Sequence, residues 1–150
     1  MTWQQNIGYA LAVTGGLELA SHLLVGEHDA YERIAVQLLG RHGGGRWLRA
    51  LCVPDRPELD AGLADVIDLR ESPVRLNWRL LAAALQVPQA FRQPADDLAM
   101  LEIATSIAGP HRVNLRSALS ALHPDDRRLA AAAVQEAALL TNDDGPAALV

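Results

Sequence analysis

Slid along the chain by 37 residues, the segment Pro57 to Leu85 falls on Pro94 to Leu122 and keeps eight identities in 29 aligned positions. The matched pairs are Pro57/Pro94, Asp60/Asp97, Pro73/Pro110, Arg75/Arg112, Asn77/Asn114, Arg79/Arg116, Ala84/Ala121 and Leu85/Leu122. Conservative pairs fall between them, among them Leu63/Met100, Asp65/Glu102, Val66/Ile103 and Leu76/Val113. Self-similarity at a period of this size marks a supersecondary unit that buries its apolar face against its neighbour. The constraint is therefore architectural before it is chemical.

The type of unit follows from composition. Half of the 150 residues are apolar and only six are aromatic. Alanine and leucine dominate over β-branched residues, a balance that favours close-packed helices over sheet. A chain of this length holds one domain with a real core and is too short for two of ordinary size. The expected class is all-α: a compact bundle or short α-solenoid of about seven or eight helices containing two tandem 37-residue helical hairpins.

In that reading residues 1–53 form N-terminal helices. Thr2 caps the first, whose apolar positions run from Trp3 through Ala10, Val13, Leu17 and Ala20 to Leu24 at three/four spacing. Leu19 and Leu23 lie on its other side, so it is expected in the middle of the fold. Asp29 begins a second helix with Tyr31, Ile34, Ala35 and Leu38 inward, stopping at Gly40, and Gly43-Gly44-Gly45 is a joint into the apolar segment Trp47 to Val53. Lone Cys52 reads as a buried thiol, because an active thiolate needs a polar activating neighbourhood.

The first hairpin repeat spans 57–93. Asp55 and Pro57 start a helix with Leu59, Leu63 and Val66 on one face, and Ser72-Pro73 start its partner. The second repeat spans 94–130, with a helix carrying Leu98, Leu101 and Ile107 followed, after Gly109-Pro110, by one packing through Leu115, Ala118, Leu119 and Leu122. A capping helix is expected over 124–140, and 141–150, with Gly145-Pro146, as a loose tail.

The repeated polar residues are the candidate site. On continuous helices Arg75 and Arg79 share a face, as do Arg112 and Arg116. Stacked in register, the four guanidinium groups make a surface suited to carboxylates. Asn77 and Asn114, away from that edge, either bond a neighbouring loop or add a polar contact to a partner. The competing structural reading pairs the arginines internally with Asp60, Asp65, Asp97 and Glu102, which recur with them.

Two other stretches carry chemistry. Glu18, His22, Asp29 and Glu32 would share one arc of a straight helix, with His28 to one side, and could hold a divalent metal through imidazole and carboxylate. The competing reading is a solvated polar strip. The run Arg41-His42-Gly43-Gly44-Gly45-Arg46-Trp47-Leu48-Arg49 lacks the Gly-Lys-Ser/Thr ending of a phosphate loop and reads as a helix connection anchored by Trp47.

All thirteen basic residues are arginine, against eighteen carboxylates, giving a formal net charge of −5. That sign disfavours nucleic acid, although a local arginine patch keeps backbone binding open as an alternative. Ile7 to Val25 is apolar but carries Glu18 and His22 and has no basic residue before it, so no membrane insertion is expected and the expected location is cytoplasmic. No HExxH, CxxC, dinucleotide fingerprint or nucleophile–base grouping appears. The reading leans away from an enzyme. It favours a protein–protein interaction module that presents Arg75, Asn77, Arg79, Arg112, Asn114 and Arg116 to an acidic partner or subunit. No cofactor is expected, save the divalent metal of the alternative reading.

Overall fold

A computed structural model describes residues 16–52, 66–68, 74–87, 91, 95–109 and 111–149. Among these the fold is mostly helical, with seven α-helices: α1 (Gly16–Leu24), α2 (Ala30–Arg41), α3 (Arg46–Cys52), α4 (Trp78–Leu85), α5 (Ala99–Ala108), α6 (Leu115–Ala121) and α7 (Pro124–Leu149). Short 3-10 turns at His42–Gly44 and Ala95–Leu98 lead into α3 and α5, and β1 (Ile67–Asp68) pairs antiparallel with β2 (Arg75–Leu76).

Helix α2 begins where Asp29 can cap it. The Asp29 carboxylate accepts from the backbone N–H of Tyr31 at 2.9 Å and of Glu32 at 3.0 Å, satisfying two of the orphan donors of a helix start. The helix then buries Ile34, Ala35, Val36, Leu38, Leu39 and Gly40. It packs against α1, α5 and α7. Of the expected first helix only Gly16–Leu24 is described, with Glu18, Ser21 and His22 exposed; the Thr2 cap and residues 3–15 lie outside the described residues. One apolar cluster runs from Ala20 to Ala133.

Gly43, Gly44 and Gly45 end α2 with φ of +54°, +66° and +81°. Three successive left-handed conformations are costly for L-residues that carry a Cβ, so glycine is what allows the chain to reverse here. The turn then delivers Trp47, Leu48 and Leu51 into the core.

The second copy is a helical hairpin of α5 and α6, while the described part of the first copy departs from a helix starting at Ser72-Pro73. Val66 does not continue a helix; its carbonyl accepts from the Asn77 N–H at 2.6 Å, next to the ladder pairing Ile67 with Leu76 and Asp68 with Arg75. This ladder holds residues 75–76 extended and moves the start of α4 to Asn77, rather than to Ser72-Pro73. Tertiary pairing has overridden a local start signature. Residues 53–65, where the first helix of that hairpin is expected, lie outside the described residues, as do Ser72, Pro73 and the Cys52 side chain.

What the two copies do share is the cap. Asn77 and Asn114 have closely similar extended backbones, with φ/ψ of −87°/92° and −78°/98°. Each turns its side-chain oxygen onto the N–H three residues ahead, Leu80 at 3.0 Å and Ser117 at 3.1 Å. The asparagine that recurs in the sequence is a helix N-cap in both places. Leu85 and Leu122, also recurrent, close the two segments as buried residues. Leu115, expected to pack inward, is 41% exposed because it is the first residue after the cap. Replacing Asn77 or Asn114 by Ala should cost about 1 kcal/mol each, and Asp in their place should retain most of the stability; chemical denaturation checks both.

Helix α7 runs beyond the expected limit at residue 140 and through the stretch 141–149 expected to be loose. Asp125 and Asp126 favour its N-terminal dipole, and the alanine run Ala130 to Ala133 is the strongest helix-forming sequence in the chain. Gly145 and Pro146 fall in its final turn and a half, where Pro146 removes one backbone N–H from the ladder. No helix among the described residues is long and apolar enough to cross a membrane.

Candidate functional site

The arginines come to the surface by two routes. Arg75 lies on β2, exposed beside the buried Leu76, and Arg79 lies in the first turn of α4. Arg112 precedes α6 in extended chain and Arg116 lies in its first turn. Neither pair therefore shares a continuous helical face; each brackets an asparagine cap, one arginine two residues before it and one two residues after. All four are exposed.

The two pairs sit at opposite ends of α4. Gln86, at the C-terminal end of that helix, places its amide 3.4 Å from Nδ1 of His111, the residue before Arg112. The side-chain oxygens of Asn77 and Asn114 are engaged in capping, and both residues are exposed.

The acids expected to neutralise the arginines internally are engaged elsewhere. Asp97 pairs with Arg46 at 3.7 Å, and Arg46 also lies over the Trp47 ring, 5.1 Å from its centroid. Glu102 stands 3.8 Å from Nε2 of His111, itself 7% exposed. Asp60 and Asp65 lie outside the described residues. Among the described residues, no carboxylate stands within ion-pair distance of Arg79, Arg112 or Arg116.

The residues of the metal alternative are dispersed in role. Glu18 and His22 are exposed on α1, Asp29 caps α2, and Glu32 is half-buried in the first turn of α2. Among the described residues, no three His, Cys, Asp or Glu side chains are arranged to hold a metal ion.

Two titratable groups are more deeply placed than the sequence suggests. His42 caps the end of α2, with Nε2 3.5 Å from Asp126 at the start of α7 and Nδ1 buried without a partner. Burial pushes its pKa below the ordinary value against the opposing pull of Asp126. Glu27, in the loop between α1 and α2, is 1% exposed, and neither carboxyl oxygen has a hydrogen-bond partner as an ionised group. Burial first, then Glu32, raises its pKa from 4.5 to about 8, with Arg75 pulling the other way and Asp29 adding to the rise. A glutamate two residues before a cap carries no sequence signal of such burial.

The fold is mostly helical, with exposed arginines bracketing two asparagine caps. The chain matches no protein-family model, no curated protein and no solved structure.

Proposed function

We propose that the protein is a non-enzymatic helical interaction module whose arginine surface receives an acidic protein partner or an adjoining subunit. The observation that carries this reading is made among the described residues: Asp97 goes to Arg46 and Glu102 stands beside His111, and no described carboxylate lies within ion-pair distance of Arg79, Arg112 or Arg116. Exposed guanidinium groups of this kind form bidentate hydrogen bonds with carboxylates, and their planar donors are costly to leave idle only when buried.

The test is fluorescence anisotropy with an acetylated glutamate-rich peptide and, in parallel, a single-stranded oligonucleotide of equal charge. Replacing Arg79, Arg112 and Arg116 by Gln should weaken the peptide roughly tenfold, since exposed charge pairs contribute up to about 1 kcal/mol each. The same variant should keep Tm within about 2 °C, as expected of surface substitutions. A larger fall in Tm would mean that the arginines hold the fold together. Preference for the oligonucleotide, with affinity falling steeply in salt, would transfer the surface to nucleic-acid backbone.

A further inference from the structure

Over its middle turns α7 is apolar on two opposite sides. Leu129, Ala130, Ala133, Ala137 and Leu140 pack on the core. Across the helix from them, Ala131, Ala132, Gln135 and Ala138 are exposed, and Leu139 is 54% exposed. From residue 129 to residue 142 the sequence holds one charged side chain, Glu136. It stands at the edge of this outer face, on the groove between α2 and α7 that Arg41 also lines. The solvent side of a surface helix is ordinarily polar or charged, so an outer face of alanine and leucine calls for a second surface to cover it.

Opposite charges close the two ends of the face. Arg128 stands at its N-terminal end and Asp143, by register, towards its C-terminal end. At 3.6 residues per turn, Arg128, Ala132, Gln135, Leu139 and Asp143 fall within about 80° of arc. The Arg128 side chain is 84% exposed, and its contact with Asp125 at 3.7 Å is an exposed pair one turn apart, a kind that holds a side chain weakly. Its neighbour Arg127 is tied back instead, with Nε donating to the Leu122 carbonyl at 3.0 Å.

We propose that this face receives a second copy of the chain, the two α7 helices packing antiparallel about a two-fold axis that passes between Gln135 and Glu136. A face with a cation at one end and an anion at the other is complementary to itself when reversed. The antiparallel register brings Arg128 of each copy to Asp143 of the other, and the same register sets the small Ala132 against the large, exposed Leu139. Charge and shape therefore agree on one alignment, and by symmetry each contact is made twice. A parallel pairing would set Arg128 against Arg128 and Asp143 against Asp143. The contact uses none of Arg79, Arg112 and Arg116, so it stands apart from the acidic-partner reading above.

The experiment is sedimentation equilibrium on the full chain. Wild type should pass from the mass of one chain to that of two between about 10 μM and 1 mM, as suits an interface smaller than the ~1,200 Å² of stable complexes. Arg128→Asp and Asp143→Arg should each weaken association roughly tenfold, because one substitution turns two symmetry-related attractions into repulsions. Combined in one chain, the two should restore association to within about threefold of wild type. Each new charge suits the end of the helix where it lies, so the fold should tolerate both, and thermal melts of dilute samples check that. Leu139→Gln should also weaken the dimer roughly tenfold, through lost apolar burial at two places. A chain that stays monomeric over the whole range would overturn the proposal, and so would a dimer indifferent to Arg128→Asp. Single losses that the combined variant does not recover would overturn the antiparallel register.

Discussion

Trp47→Ala should destabilise the protein by about 3–5 kcal/mol, the range for removing a fully buried large aromatic side chain. Trp47 is 1% exposed and meets Phe91 edge-on, with ring centroids 6.1 Å apart and planes at 88°. The edge-to-face arrangement adds to the area buried, since the positive edge of one ring meets the negative face of the other. Arg46 covers the indole from the solvent side. Total stability of a domain is only about 5–15 kcal/mol, so this one substitution removes a large share of it. Trp47→Phe should cost far less, about 1–2 kcal/mol. The indole N–H is buried without a partner, and a phenyl ring removes that unsatisfied donor along with the lost volume. Urea denaturation of both variants checks the pair; equal losses would mean that the indole's own fit, rather than buried aromatic volume, holds this position.

The importance of Trp47 is readable in the sequence because the residue follows three glycines and opens an apolar run. The same is true of Asp29, whose capping role needs only its own helix. What the sequence could not show is where nonlocal partners intervene. Ser72-Pro73 is a sound helix start by local chemistry, yet the ladder between Ile67–Asp68 and Arg75–Leu76 keeps the chain extended as far as Asn77. The recurrence of asparagine at 77 and 114 carried the correct information. Asparagine is a favoured N-cap and a poor helix interior residue, so its repetition marked two helix starts. Placing both inside helices put the arginines on faces that do not exist.

The arginine surface was legible in part for the same reason. Residues 75, 79, 112 and 116 recur as a set, but the fate of the repeated acids depends on Arg46, which is distant in sequence, and on His111, the neighbour of Arg112, meeting Glu102 across a turn. Glu27 was not legible at all. Its burial comes from the packing of α1, α2 and β2 around a loop, and nothing in the spacing of Val25-Gly26-Glu27-His28 distinguishes it from a solvated turn.

That burial makes Glu27 the strongest determinant of how stability should depend on pH. Its folded pKa of about 8 lies above the ordinary 4.5, so the folded protein holds a proton that the unfolded chain releases earlier. The linked stability is fully present below pH 4.5 and is lost as pH rises towards 8, because in that interval unfolding releases the proton. Each unit is worth about 1.4 kcal/mol, which caps the whole effect near ~5 kcal/mol. The opposite sign holds for a carboxylate stabilised as an anion, whose contribution disappears on acidification. Wild-type Tm should therefore fall between pH 5 and pH 8.5, and Glu27→Gln should flatten the decline. At pH 8.5 the variant should melt higher by roughly 5–10 °C, given about 2–4 °C per kcal/mol for a chain of this size. The gain should shrink towards acid pH, where wild-type Glu27 is already neutral and an uncharged amide offers no advantage. Thermal melts of both proteins across that range provide the check. A wild type as stable at pH 8.5 as at pH 5, or a variant with an undiminished slope, would show that Glu27 is charged in the folded state and that the corner tolerates it.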